Sequence, residues 1–360
     1  MLRHPSSRYQ RQALLPQIGA AGQEKLSKSH VLLVGCGALG CHAADQLVRA
    51  GIGHLRLVDR DIVELSNLQR QTLFDEDDAK TGAAKAEAAA RRLNRINSSV
   101  QIEPLATDFW AGNAEELVEG IDLILDGTDN VQTRYLLNDL SVEHGIPWIH
   151  AACVGTEGRV MAIIPGQTAC LRCVFPTPPD GKELPTCDTA GVLQAAAAVA
   201  ASMQVAQAIR VLVGSASQSS ARLSSPKSVL SPQPLRSFDV WKGRFSSIDL
   251  HESRRDDCPC CGQKNFEFLR LSGSQTTISL CGRNAVQIRP VRPWHPSEFE
   301  IAASRLRTFG EMETAAFFSR CRLRDPAGIT ITFFKDGRLL VDGTADAGRA
   351  QSICARFLGA

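Results

Sequence analysis

The stretch that most constrains this chain runs from Ser29 to Arg70. Val31-Leu32-Leu33-Val34 leads into Gly35-Cys36-Gly37-Ala38-Leu39-Gly40, and after a helical interval His54-Leu55-Arg56-Leu57-Val58 ends at Asp59. An apolar run closed by glycines reads as a buried strand turning into a helix N-terminus. Such glycines let the main chain approach a phosphate, and a carboxylate about 20 residues on can accept hydrogen bonds from ribose hydroxyls. Gly35, Gly37, Gly40 and Asp59 are therefore nucleotide-site candidates, with a redox dinucleotide and ATP both open. Asn67 and Arg70 stand where a nicotinamide enzyme would continue into an ordinary crossover helix. They suit phosphates, because a guanidinium offers forked donors and an amide beside it can fix the nucleotide's orientation.

The pattern then alternates, with strands at 30–34, 54–59, 100–105, 121–126 and 147–151 and helices at 38–50, 82–96, 113–118 and 130–143. This predicts an α/β fold with a doubly wound, Rossmann-like sheet, whose ligands bind at the carboxyl ends of the strands. Residues 1–28 read as a helical arm, 29–262 as the nucleotide-binding domain and 263–360 as a small α+β appendage of unassigned role. A loop is expected at 151–158, and the Ser/Pro-rich stretch 214–235 reads as a flexible insertion. Gly191 to Ile209 carries no charge but is rich in alanine with three glutamines, so a buried helix is expected rather than a membrane span. A formal charge of +2 without long basic runs weighs against a nucleic-acid partner. The segment Met1-Leu2-Arg3-His4-Pro5 lacks the apolar core of a secretion signal, which points to a cytoplasmic protein.

Twelve cysteines in such a chain suggest thiols, metal ligands or a nucleophile rather than disulfides. Cys170 and Cys173 form one C-x-x-C knuckle, Cys258 and Cys261 another, and four thiolates so spaced suit a structural zinc; Cys260 is left as the spare sulfur. Cys187, at a helix start where the dipole favours thiolate, is a candidate nucleophile, with a structural thiol as the alternative. Asp129 closes Asp126-Gly127-Thr128-Asp129 after a strand and can supply an oxygen to magnesium, or simply cap the next helix. Arg134, one turn into that helix, is expected to face the same cleft.

From Arg8 to Gly191, and again from about Ser237 to Gly262, the chain resembles the MoeB and ThiF adenylyltransferases that activate ubiquitin-like sulfur carriers, relatives of the ubiquitin-activating enzymes. The resemblance implies that ATP and magnesium are bound and that the carrier's C-terminal glycine is adenylated before sulfur transfer, in molybdopterin or thiamine biosynthesis. It further implies that Lys85, otherwise an ordinary helix lysine, contacts ATP; that Asp129 holds the metal; and that Arg11 reaches the phosphates of the other subunit in a homodimer. Cys187 matches a cysteine that some members use covalently, with a sulfurtransferase or cysteine desulfurase as sulfur donor. Adenylation of a tRNA-borne carboxylate, an NAD-dependent oxidoreductase and a non-catalytic carrier-binding scaffold are the rival readings. A rhodanese activity in the appendage is rejected, since Cys281-Gly282-Arg283-Asn284 lacks the required loop spacing.

Overall fold

The computed structural model describes residues 7–179, 190–214, 234–270, 277–280, 284–290, 292, 294–315 and 317–359. Cys187, Cys281 and most of the Ser/Pro-rich stretch lie outside the described residues.

Eight strands form the first sheet: β1 (His30–Val34), β2 (His54–Val58), β3 (Gln101–Leu105), β4 (Leu123–Asp126), β5 (Trp148–Val154), β6 (Glu157–Ile163), β7 (Leu235–Asp239) and β8 (Arg244–Ile248), in the order β3-β2-β1-β4-β5-β6-β7-β8. The first five are mutually parallel, so both faces must be covered, and β1 is correspondingly buried from Val31 to Val34. The helices are α1 (Gln10–Ala13), α2 (Gly19–Leu26), α3 (Ala38–Ala50), α4 (Glu76–Thr81), α5 (Lys85–Ile96), α6 (Ala114–Leu117), α7 (Val131–His144), α8 (Leu171–Val174) and α9 (Gln194–Gly214). They divide the core in two: α3, α5 and α9 pack on one face, while α7 and the cysteine knuckles lie on the other.

Several expectations change. The loop expected at 151–158 is a hairpin: β5 runs on to Val154 and pairs antiparallel with β6 through Gly155-Thr156, with Gly155 at φ +60°. That turn ends the parallel part of the sheet, and β7 and β8 extend it antiparallel. The N-terminal arm is two short helices rather than one, because Pro16 lies between them and exposed Leu14 and Leu15 have no core to face. The helix expected from residue 82 starts at Lys85, since Gly82 at φ +56° closes an unforeseen short helix, α4.

α9 is the one described helix long and apolar enough to cross a membrane by length and composition, yet half of its most apolar window is buried. Its Ala196, Ala197, Ala200 and Ala201 let it lie close on α3 and the sheet. Fully buried Gln204 donates from Nε2 to the main-chain oxygens of Asp126 and Ile149 at 2.8 Å each. An amide placed to satisfy the ends of β4 and β5 belongs to a core helix.

The C-terminal residues form α10 (Glu267–Arg270), then a separate six-stranded antiparallel sheet. Its strands are β9 (Thr277–Leu280), β10 (Ala285–Ile288), β11 (Gly310–Thr314), β12 (Phe318–Leu323), β13 (Thr330–Phe334) and β14 (Leu339–Asp342), ordered β11-β12-β13-β14-β10-β9. α11 (Pro296–Leu306) and α12 (Ala347–Leu358) cover it around a core of Val286, Phe299, Leu306, Ile331, Phe333 and Phe357. β11 and β12 were not anticipated from the sequence.

Candidate nucleotide site and metal centre

A cleft of about 280 Å³ opens at the carboxyl ends of β1 to β4. Gly35, Gly37 and Gly127 line its floor, whereas Gly40, expected at the site from the sequence, is buried against the Gly35 carbonyl and is absent from the lining. Gly35 has φ +91°, and a Cβ there would sit 2.7 Å from the Gly127 oxygen; at Gly40 it would sit 2.0 Å from the Gly35 oxygen. Gly35, Gly40 and Gly127 are thus held as glycine by contact with one another, whereas Gly37 has open space where its side chain would be. Gly37 is the position at which a ligand can come down on bare main chain.

Asp59 directly follows β2, one residue past the strand end, and its carboxylate accepts from the main-chain N–H of Cys36 at 2.6 Å and of Asp61 at 2.8 Å. Burial raises its pKa despite the Lys85 ammonium nearby. Asn67 is buried and receives the Glu64 N–H on Oδ1 at 3.1 Å, and Arg70 donates to the Ser66 carbonyl at 2.8 Å; both line the cleft. Lys85 is 6% exposed, too buried for an ordinary helix lysine, and its Nζ lies 3.1 Å from Asp61 Oδ2. Burial works against the ammonium, but Asp61 and Asp59 outweigh it and hold the pKa well above the usual lysine range.

Asp129 lies exposed on the cleft wall. The capping role open to it falls instead to Asn130, whose Oδ1 accepts from the Thr133 N–H at 3.2 Å. A carboxylate spared from capping at the phosphate end fits a divalent cation. Arg134 departs from expectation. It is absent from the cleft lining and turns inward, Nε lying 3.3 Å from Asp126 Oδ2. Asp126 is fully buried, so its charge demands partners: it also accepts from Thr128 N at 2.9 Å and Oγ1 at 2.7 Å, and lies 2.8 Å from His150 Nδ1. Burial pushes the Asp126 pKa up, but Arg134 and His150 outweigh it and lower it. Arg11 is exposed and away from the cleft of its own chain.

Residues that the sequence did not single out complete the wall: Arg60, Asp108, Phe109, Trp110 and, from the C-terminal residues, Arg289. Arg60 directly follows Asp59, and that adjacency was the one signal available for it.

On the face of the sheet that carries α7, the sulfurs of Cys170, Cys173, Cys258 and Cys261 all lie within 4.8 Å of one another. Cys170 Sγ is 3.6 Å from Cys258 Sγ, and Cys173 Sγ is 3.4 Å from Cys261 Sγ, across 88 residues of chain. Four convergent thiols fit a tetrahedral structural zinc with no position left for chemistry. Cys260 is excluded from the cluster and receives the Asn138 Nδ2 donor at 3.2 Å.

Residues 9–260 match the ThiF family. The chain belongs to that family. Across 98% of its length it is 40% identical to the whole of the sulfur carrier protein ThiS adenylyltransferase of Bacillus subtilis. Over 71% of its length it is 42% identical to the adenylyltransferase and sulfurtransferase MOCS3 of Drosophila sechellia, and it spans about half of that relative, 53%. Among solved structures, Escherichia coli MccB with ATP superposes with a TM-score of 0.59 at 24% identity, covering 71% of this chain and 75% of the other, a likeness of fold. Adenylyl transfer and the use of ATP follow from membership of this family.

Proposed function

We propose that this chain adenylates the C-terminal glycine carboxylate of a ubiquitin-like sulfur carrier, using ATP. The observation that carries the reading is the pairing of a glycine floor open at Gly37 with a cationic and acidic rim of Arg70, Lys85 and Asp129. That arrangement suits a triphosphate better than a redox dinucleotide. Full-length similarity to a ThiS adenylyltransferase favours a carrier of the thiamine pathway over a molybdopterin one, because the MOCS3 relatives match only in part.

In this reading the carrier's carboxylate attacks the α-phosphate and pyrophosphate leaves. Arg70 and Lys85 offset charge developing on the phosphates, and the main chain at Gly37 positions them, so catalysis is by placement and electrostatics. Magnesium held at Asp129 would neutralise the leaving pyrophosphate. Asp59, fixed by two main-chain donors, presents its carboxylate to the ribose. Arg11, exposed on its own subunit, would complete a neighbour's site in a homodimer. The cysteine cluster would hold zinc as a staple between α8 and the segment after β8. Cys187 is kept as the candidate for later sulfur relay, with a sulfurtransferase or desulfurase as donor.

The test is carrier-dependent exchange of pyrophosphate into ATP, run with ThiS-like and MoaD-like carriers from one cell. Magnesium-dependent exchange with the ThiS-like carrier is expected. Exchange with neither carrier removes the reading, and exchange with the MoaD-like carrier alone reassigns the pathway.

A further inference from the structure

Among the described residues, contacts at Asp108, Arg60 and Gly82 join the C-terminal sheet to the nucleotide-binding sheet, and each lands on a segment that borders the cleft. Asp108, just past β3, accepts on Oδ2 from Gln287 Nε2 at 3.0 Å and Arg289 Nε at 2.6 Å, and on Oδ1 from Arg60 Nη1 at 3.1 Å. Arg338, 5% exposed, donates from Nη2 to the main-chain oxygen of Arg60. Phe318 packs so closely on Gly82 that a Cβ there would lie 2.7 Å from its ring, and this turn leads into Lys85. Arg60 Nε lies 3.8 Å from Asp61, which pairs with Lys85. A connected line of charges therefore runs from Arg289 through Asp108, Arg60 and Asp61 to Lys85.

Arg289 is itself part of the cleft wall, with its guanidinium carbon 5.4 Å from the centre of the Trp110 ring, which lines the cleft too. Its charge is already met by Asp108, so it offers a phosphate little. What it still presents is a flat cationic face beside an indole, a surface on which a planar heterocycle stacks well. Sheet order decides which end of a nucleotide lies there. Gly37 and Asp129 follow the central strands β1 and β4, Asp59 follows β2, and Asp108 to Trp110 follow β3 at the edge. Phosphates at the centre and ribose at Asp59 leave the base for the outer wall.

We propose that the C-terminal sheet supplies the base-recognition wall of the nucleotide site, with Arg289 and Trp110 forming the surface against which the purine stacks. The Asp108, Arg60 and Asp61 relay then keys that wall to Lys85, so the appended residues are a working part of the site. This inference rests on reading the cleft as an ATP site.

Pyrophosphate exchange reads both ends of the cleft in one reaction. Arg289→Ala is expected to raise the KM for ATP about tenfold, in line with the loss of one stacked base contact, with the KM for pyrophosphate held within about twofold. Arg289→Lys keeps a charge against Asp108 but loses the flat face, and is expected to show the same split. An unchanged KM for ATP in Arg289→Ala overturns the proposal. So does an equal rise in both KM values, which a general loosening of the cleft would give, and so does full recovery in Arg289→Lys. If the wild-type protein itself shows no exchange, the adenylation reading fails and the inference with it; wild-type exchange with unmoved variants removes the inference alone.

Discussion

Two regions of this protein solve the same problem by different means. The cysteine cluster and the Asp108 hub each tie a late segment of chain to the nucleotide-binding sheet, across 88 residues in one case and 181 in the other. The cluster uses four soft ligands that converge in one geometry, and it stands apart from the cleft. The hub uses one partly buried carboxylate with three cationic or amide donors, and it is part of the cleft wall. A staple can thus be chemically inert toward the site or can feed into it, depending on whether its charges remain in reach of the ligand.

The inert staple is the more costly to break. Cys170→Ser should abolish stoichiometric zinc, read by metal analysis of the purified protein, and cost more than about 4 kcal/mol of unfolding free energy, because metal binding is folding energy at such sites. A stable, zinc-free variant would make the cluster a set of ordinary buried thiols.

Next comes the hub. Asp108→Ala strands Arg60 and Arg289 without their shared anion, and losing the charged acceptor of a partly buried cluster should destabilise by about 2 kcal/mol in denaturant titration. Unlike the cysteine change, it should also weaken ATP binding, since Arg60 leads on to Asp61 and Lys85. Loss of stability with unaltered ATP affinity would make the two regions equivalent after all.

The smallest effect is in pH. Burial raises the Asp108 pKa, but Arg60 and Arg289 outweigh it and hold the carboxyl below its ordinary value. A group depressed in the folded state adds stability that is complete above its unfolded value of about 3.9 and fades as pH falls through the folded one. The stability gap between wild type and Asp108→Asn should therefore be constant near neutrality and narrow below about pH 4. A gap that stays level with acid would mean that the carboxylate's charge is not what the hub uses.

How much could be read beforehand follows the same divide. Cysteine pairs at fixed spacing announce a metal site, and glycines flanked by apolar runs announce a strand and turn, so the cluster and the floor around Gly35 and Gly37 were legible. Lys85 was visible only through resemblance, because a lysine in a helix carries no local mark of burial. Asp108 and Arg289 were invisible: single acidic and basic residues far apart in sequence declare no partnership until two sheets meet. Arg134 misled because its position one turn into α7 says which cleft is near, while the charge on buried Asp126 decides where the guanidinium goes. The hairpin across 151–158 reads as a loop in sequence because Gly155-Thr156-Glu157-Gly158-Arg159 is all glycine and polar residues, which hides the pairing of β6 with β5 there.

The mutual contact of Gly35, Gly40 and Gly127 locks all three positions at once. Where glycine packs on glycine the chain has nothing to exchange, since every L side chain at Gly35 or Gly40 collides with backbone. Retuning this protein toward another nucleotide would have to be done from the rim, where side chains are free to vary.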